Sequence, residues 1–225
     1  MALRAVLLDF DGVIADTEDH HIAAWQRTLA ALGWQVPDEV AARSADVDDR
    51  EFLRDLLAVQ QITDGDIDGW VRKKQALTIS MLRDAPRVYP GVQELVRQLR
   101  GRVRLAVVSD TWRENIEVVL STSGLLAAFE LIVGKEDVRS VKPDPEAYCL
   151  ALNRLGLSAG ETVAIEDSPT GLAAARAAGI PGIAVGHRRE FGGWIGDSTY
   201  CSGLEPVSGL LRHLGLEASS VKREP

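Results

Sequence analysis

The stretch that most constrains this chain is Leu7-Leu8-Asp9-Phe10-Asp11-Gly12-Val13, an apolar run that ends in two carboxylates one residue apart and then a glycine. A short continuous apolar run bounded by a glycine turn predicts a strand from Ala5 to Leu8 buried on both faces, as in parallel sheets covered by helices. Asp9 and Asp11 then stand at the strand's carboxyl-terminal edge, where open α/β sheets bind ligands. Two acids this close repel each other, so the spacing implies a neutralising cation or a shared proton. The plain alternative is a turn, for which Asp and Gly are common residues.

Three later stretches end apolar runs in different chemical groups. Val103 to Val108 predicts a second strand, terminated by Ser109-Asp110-Thr111. Leu131 to Gly134 predicts a third, and after a polar loop comes Lys142-Pro143-Asp144-Pro145. A residue before proline is biased to extended geometry, so Lys142 is expected in an extended loop. Thr162 to Ile165 predicts a further strand that ends in Glu166-Asp167-Ser168-Pro169. Ser168 and Pro169 read as the cap and first turn of a helix from Thr170 to Ala178, closed by Gly179. Ser109 reads either as a helix cap or as a hydroxyl on an anion bound at a helix N-terminus.

Between the first strand and Pro90-Gly91 the only periodicity is helical: Ile22, Trp25, Leu29 and Leu32 share one face, and so do Phe52, Leu53, Leu56 and Leu57. Beyond it, helices are expected around Val92 to Leu99, Arg113 to Leu120 and Pro145 to Leu155, alternating with the strands as in parallel βα units. The expected fold is α/β: a Rossmann-like parallel sheet core of residues 1–15 and 85–225, with an α-helical module of residues 16–84 inserted after the first strand. Ile14 to Thr17 serves as the outgoing hinge and Arg83 to Arg87 as the return.

Taken in order, DFDGV, VVS, KPDP and EDSPTGLAAARAAG resemble the haloacid dehalogenase superfamily, in its phosphatase and phosphomutase branch, over nearly the whole chain. The resemblance implies phosphoryl transfer with Asp9 as nucleophile, Asp11 as general acid/base, and Ser109 and Lys142 on the phosphate. It also implies Mg²⁺ at Glu166 and Asp167, under a small helical cap that selects the substrate; Asp9, the carbonyl of Asp11 and Asp167 supply hard oxygen ligands suited to that ion, with Glu166 binding directly or through a water. The superfamily's dehalogenases lack the second acid, because a halide leaves without a proton; Asp11 therefore argues for a phosphate ester. The run DFDGVIADTEDHHIAAW is similar to the beta-phosphoglucomutase family, where the positions matching Thr17 and His21 belong to the hinge and to a hydrogen bond with the general acid/base. His21 is accordingly expected to poise Asp11, whereas His20 reads as a polar residue early in an amphipathic helix.

Further into the module the likeness decays. Arg50, after Ala45-Asp46-Val47-Asp48-Asp49, is the candidate for gripping a second phosphate, and Asp110 is a substrate-side candidate next to Ser109. After Ser109 the chain reads Asp110-Thr111-Trp112-Arg113, where mutases carry small residues, a lysine and an asparagine; this favours a phosphatase. The expected activity is Mg²⁺-dependent hydrolysis of a small phosphate monoester, such as a phosphorylated sugar, through an aspartyl phosphate. The alternative is a sugar phosphomutase. A catalytically idle phosphate-binding protein is the reading from another class, and the complete set of acids, hydroxyl and lysine opposes it.

With 225 residues, 46% of them hydrophobic, the chain can bury a sizeable core. A net charge of -8 argues against nonspecific binding to nucleic acid or anionic membranes. The first apolar run is too short for a signal peptide, and no stretch is long enough to span a membrane. Cys149 and Cys201 lack metal-ligand spacing and read as reduced, buried or partly buried thiols of a cytoplasmic protein. The expected partner is a small phosphorylated metabolite, and the expected state a monomer or weak homodimer.

Overall fold

The computed structural model describes residues 2–45, 47–62, 65–187 and 198–217; Asp46, in the stretch before Arg50, lies outside them. Two compact units divide the chain. Residues 1–15 and 88–225 form the first, and residues 16–87 the second.

In the first unit β1 (Ala5–Leu8) is wholly buried and occupies the middle of a six-stranded parallel sheet. The other strands are β2 (Arg104–Val108), β3 (Leu131–Val133), β4 (Thr162–Glu166), β5 (Gly182–Val185) and β6 (Thr199–Cys201), in the order β3-β2-β1-β4-β5-β6. The chain builds outward from β1 through β2 to β3, then starts again on the other side with β4. That reversal is the topological switch point at which such sheets bind ligands. Register matters here: Leu8 pairs with Val107 of β2 and Ile165 of β4, and Asp9 extends the ladder by donating its amide to the Ile165 carbonyl at 2.9 Å. Asp9 is therefore level with Glu166, and in-register neighbours on parallel strands present their side chains on the same face. β4 runs one residue further than its apolar pattern suggests, so Glu166 is the last residue of the strand.

One core cluster joins Leu7, Ala106, Val108, Val133 and Ala164 of the sheet to α7 (Glu146–Leu155) and α8 (Pro169–Ala177) through Ala147, Tyr148, Ala151, Ala174 and Ala175. Burying a large apolar side chain of this kind contributes roughly 1.5–3 kcal/mol. The alanines let α8 approach the strands closely. Its start is set by Ser168, whose Oγ accepts from the Gly171 amide at 3.0 Å, with Pro169 in the first turn. Two further helices, α5 (Val92–Leu99) and α6 (Arg113–Thr122), bury Leu95, Leu99, Ile116 and Val119. The last elements are β6 and α9 (Val207–His213), which lie beyond those expected from the sequence. Neither cysteine forms a disulfide, but Cys149 is exposed on α7. That corrects the expectation of a buried or partly buried thiol: Ala147, Tyr148 and Ala151 take the buried side of the helix.

In the second unit the helices are α1 (Glu18–Ala30), α2 (Asp38–Ala42), α3 (Asp49–Val59) and α4 (Ile67–Asp84). Its core gathers Trp25 and Leu29 of α1, Phe52, Leu53, Leu56 and Leu57 of α3 and Val71 of α4. Trp25 meets Phe52 with ring centroids 5.3 Å apart, and Trp34 meets Trp70 edge-on at 5.5 Å. Asp48 caps α3 by accepting from the Arg50 amide at 2.9 Å, and Asp66 caps α4 from Gly69 at 2.8 Å. His20 is buried, with Nε2 3.0 Å from the Ala85 carbonyl, so it joins the entry of α1 to the exit of α4. Among the described residues no helix is long and apolar enough to cross a membrane.

Candidate active site

The carboxyl ends of β1, β2 and β4 deliver the groups that the sequence singled out. Asp9, just past β1, and Glu166, at the end of β4, are both buried, and the ammonium of Lys142 lies between them. Lys142 Nζ donates to Asp9 Oδ1 at 2.8 Å, to Glu166 Oε1 at 2.7 Å and to the Val108 carbonyl at 2.8 Å. All three of its donors are used, and each goes to a different strand end. Asp167 completes an acidic cluster: one oxygen each from Asp9, Glu166 and Asp167 lie within 4.8 Å of one another.

The electrostatics follow from this crowding. Burial by itself disfavours the Lys142 ammonium, yet the charges of Asp9 and Glu166 outweigh it and hold its pKa well above the ordinary lysine value. Burial pushes Glu166 up to about 8, against the pull of Lys142 and with Asp9 adding to the rise. Tyr148, absent from the sequence-based candidates, donates its hydroxyl to Glu166 Oε1 at 2.5 Å from a fully buried position on α7. Nothing in a single sequence separates this tyrosine from an ordinary core aromatic. Glu166 Oε2, by contrast, is buried without a hydrogen-bond partner. An orphaned carboxylate oxygen in a cluster of three acids, two of which share one ammonium, suits a hard divalent cation.

Two glycines make room for the acids. A methyl group on Gly171 would lie 2.0 Å from Glu166 Oε2, so the first turn of α8 can pass Glu166 only without a side chain. Gly12 has φ +78°, and a methyl there would fall 1.9 Å from Asp167 Oδ2.

The remaining candidates divide by unit. Ser109 is buried and its Oγ accepts from the Thr111 amide at 3.1 Å; α6 starts only at Arg113, with Trp112 at the cap position, so Ser109 is not the helix cap. Asp110 accepts from the Lys142 amide at 3.1 Å and so braces the loop that carries the lysine; burial raises its pKa. Asp11 stands outside the side-chain cluster and accepts from the Thr111 hydroxyl. His21 and Arg50 belong to the helical unit. His21 Nδ1 lies 2.8 Å from Lys74 Nζ, and Arg50 pairs with Asp68 at 2.9 Å. Lys74 is buried there against Asp49, at 2.8 and 3.0 Å, a pairing that no local pattern announces because the partners lie 25 positions apart.

A buried ammonium stands among carboxylates at the switch point of a parallel α/β sheet, and the family and relatives that the chain matches make it an enzyme of the phosphoric monoester hydrolase class. It belongs to the haloacid dehalogenase-like hydrolase family, whose profile matches residues 6–185. The chain is 30% identical over 182 residues to the phosphorylated carbohydrates phosphatase of Thermotoga maritima, covering 80% of this chain and 84% of that protein. It is 31% identical over 182 residues to the fructose-1-phosphate phosphatase YqaB of Escherichia coli, covering 80% and 95%. Among solved structures, CbbY from Rhodobacter sphaeroides in complex with phosphate superposes with a TM-score of 0.81 at 28% identity, over 91% of this chain and 96% of that one.

Proposed function

We propose that the protein is a Mg²⁺-dependent cytoplasmic phosphatase that hydrolyses a small phosphorylated sugar or related metabolite through an aspartyl phosphate. The observation that carries this reading is the convergence of Asp9, Lys142, Glu166 and Asp167 at one strand-end cluster. The names of the relatives, phosphatases of phosphorylated carbohydrates and of fructose 1-phosphate, support the substrate class.

In this reading Asp9 attacks phosphorus, so that hydrolysis becomes two displacements through an acyl phosphate. Lys142 and the Ser109 hydroxyl orient and neutralise the phosphoryl oxygens. Asp11 protonates the departing alkoxide and later takes a proton from the attacking water. Asp9, the Asp11 carbonyl, Glu166 and Asp167 would hold the metal, which when bound would supply positive charge that offsets the repulsion between an anionic nucleophile and an anionic phosphate. Glu166 is anchored for that task by Lys142 and Tyr148 on Oε1, and its Oε2, buried without a hydrogen-bond partner, would be available as a ligand oxygen.

The helical unit of residues 16–87 acts as a cap that selects the substrate and excludes water. In this reading His21 is its contribution to the chemistry. Accepting from Lys74 at Nδ1 leaves its second nitrogen as a donor, the form needed to poise Asp11 or hold a sugar hydroxyl. Arg50 grips a phosphate only by giving up Asp68. Hydrolysis is favoured over mutase chemistry because Asp110-Thr111-Trp112-Arg113 departs from the small residues, lysine and asparagine that mutases carry there, and the Arg113 guanidinium is already engaged by Asp137 and the Ile132 carbonyl.

Turnover of p-nitrophenyl phosphate, with and without EDTA, tests the proposal together with Asp9→Asn. The expected result is Mg²⁺-dependent phosphate release that the variant loses while circular dichroism stays unchanged. Activity indifferent to EDTA, or near wild-type rates in Asp9→Asn, would overturn it.

A further inference from the structure

Thr111 is fixed in place more firmly than a loop residue needs to be. Its amide donates to Ser109 Oγ at 3.1 Å, and its carbonyl accepts from the Lys135 amide at 3.0 Å, which binds the β2–α6 loop to the loop after β3. From that position Oγ1 donates to Asp11 Oδ2 at 2.5 Å. Asp11 follows β1 and Thr111 follows β2, and these strands are hydrogen-bonded neighbours, so the two loops emerge side by side. Asp11 itself sits on a tight turn, in which the Gly12 amide donates to the Ala15 carbonyl at 3.0 Å.

We propose that Thr111 is the positioning residue for proton transfer by Asp11. This rests on the reading of Asp11 as general acid/base. A carboxyl group rotates readily between two equivalent placements of its oxygens; a donor fixed on Oδ2 restricts that rotation and holds the acid in one orientation for proton transfer. In the first displacement the bond from Asp9 to phosphorus forms as the bond from phosphorus to the leaving oxygen breaks, and the proton on the Asp11 carboxyl passes to that oxygen. In the second, water oxygen bonds to phosphorus, the Asp9–phosphorus bond breaks, and a water proton returns to Asp11. Thr111 acts only through Asp11.

The test is the dependence of kcat/KM on the leaving group, because kcat/KM covers the steps up to release of the alcohol. Full-length wild type, Thr111→Val, Thr111→Ser and Asp11→Asn are compared with Mg²⁺ on p-nitrophenyl, phenyl and benzyl phosphate. p-Nitrophenolate leaves without help, and benzyl alkoxide needs a proton. General acid catalysis is worth about 10² to 10⁴ in rate, so a mispositioned acid should cost roughly 10- to 100-fold on benzyl phosphate and about threefold or less on p-nitrophenyl phosphate. Thr111→Ser should restore the rate, and retained p-nitrophenyl phosphate turnover certifies that Thr111→Val is folded. An equal loss on all three esters, no loss on any, or a failure of serine to rescue would overturn the assignment. If Asp11→Asn shows the graded loss and Thr111→Val does not, only Thr111 is wrong; if Asp11→Asn shows no graded loss, the acid/base reading itself fails.

Discussion

Replacing His21 with Asn probes an acid-labile element inside the helical unit. Burial, together with the Lys74 ammonium 2.8 Å from Nδ1, pushes the imidazole from its ordinary 6.5 down to about 3. The folded unit therefore refuses a proton that the unfolded chain accepts. A depressed histidine contributes its full stability above pH 6.5 and loses it as pH falls toward 3. Linkage gives about 1.4 kcal/mol per pH unit within that window, hence about 2 kcal/mol between pH 7 and pH 5, an upper figure because the ring is only partly buried. Asparagine removes the titration yet keeps an acceptor near the place of Nδ1 for Lys74. Three of the five tryptophans, Trp25, Trp34 and Trp70, lie in this unit, and the Trp25 indole donates to Asp49 at 2.9 Å, so tryptophan fluorescence in urea reports chiefly on its unfolding. The expected result is a wild-type stability that drops by about 2 kcal/mol more than that of His21→Asn between pH 7 and pH 5. Parallel losses in the two proteins would refute the reasoning, and so would a steeper loss in the variant.

Gly171→Ala should displace the Glu166 carboxyl, because the new methyl would stand 2.0 Å from Oε2; the expected cost is about 1–3 kcal/mol from overpacking, read by urea denaturation, with loss of phosphate release. Gly209→Ala is the contrasting case: no heavy atom lies within 4 Å of its added methyl on α9, and thermal unfolding should show a gain of about 0.5–1 kcal/mol. Lys142→Met keeps the methylenes but strips the ammonium from Asp9 and Glu166; removing one partner of a buried pair costs about 3–5 kcal/mol. Denaturation at neutral pH measures that cost, and phosphate release should vanish with it.

Much of the core was written in local pattern. The apolar runs that became β1, β2 and β4 are short, continuous and ended by polar residues, which a strand buried on both faces requires, and Ser168-Pro169 marks the start of α8 through its own capping chemistry. Strand-end geometry likewise made Asp9, Ser109 and Glu166 visible as candidates, since each follows or closes an apolar run. β6 was not visible: Thr199–Cys201 is three residues long and not fully buried, and it is a strand only because β5 offers it a ladder. Tyr148 was hidden for a related reason, because its hydroxyl acquires meaning only from Glu166, 18 positions away. The same holds for Lys74 with His21, 53 positions apart, and for Thr111 with Asp11, 100 apart. Sequence by itself determined which segments must bury themselves and which chemical groups stand at their ends, because burial and capping act between near neighbours. Tertiary structure decided which of those groups meet: Lys142 reaches Asp9 across 133 positions only because parallel pairing brings the strand ends together, and the register of β1 against β4 sets Asp9 level with Glu166.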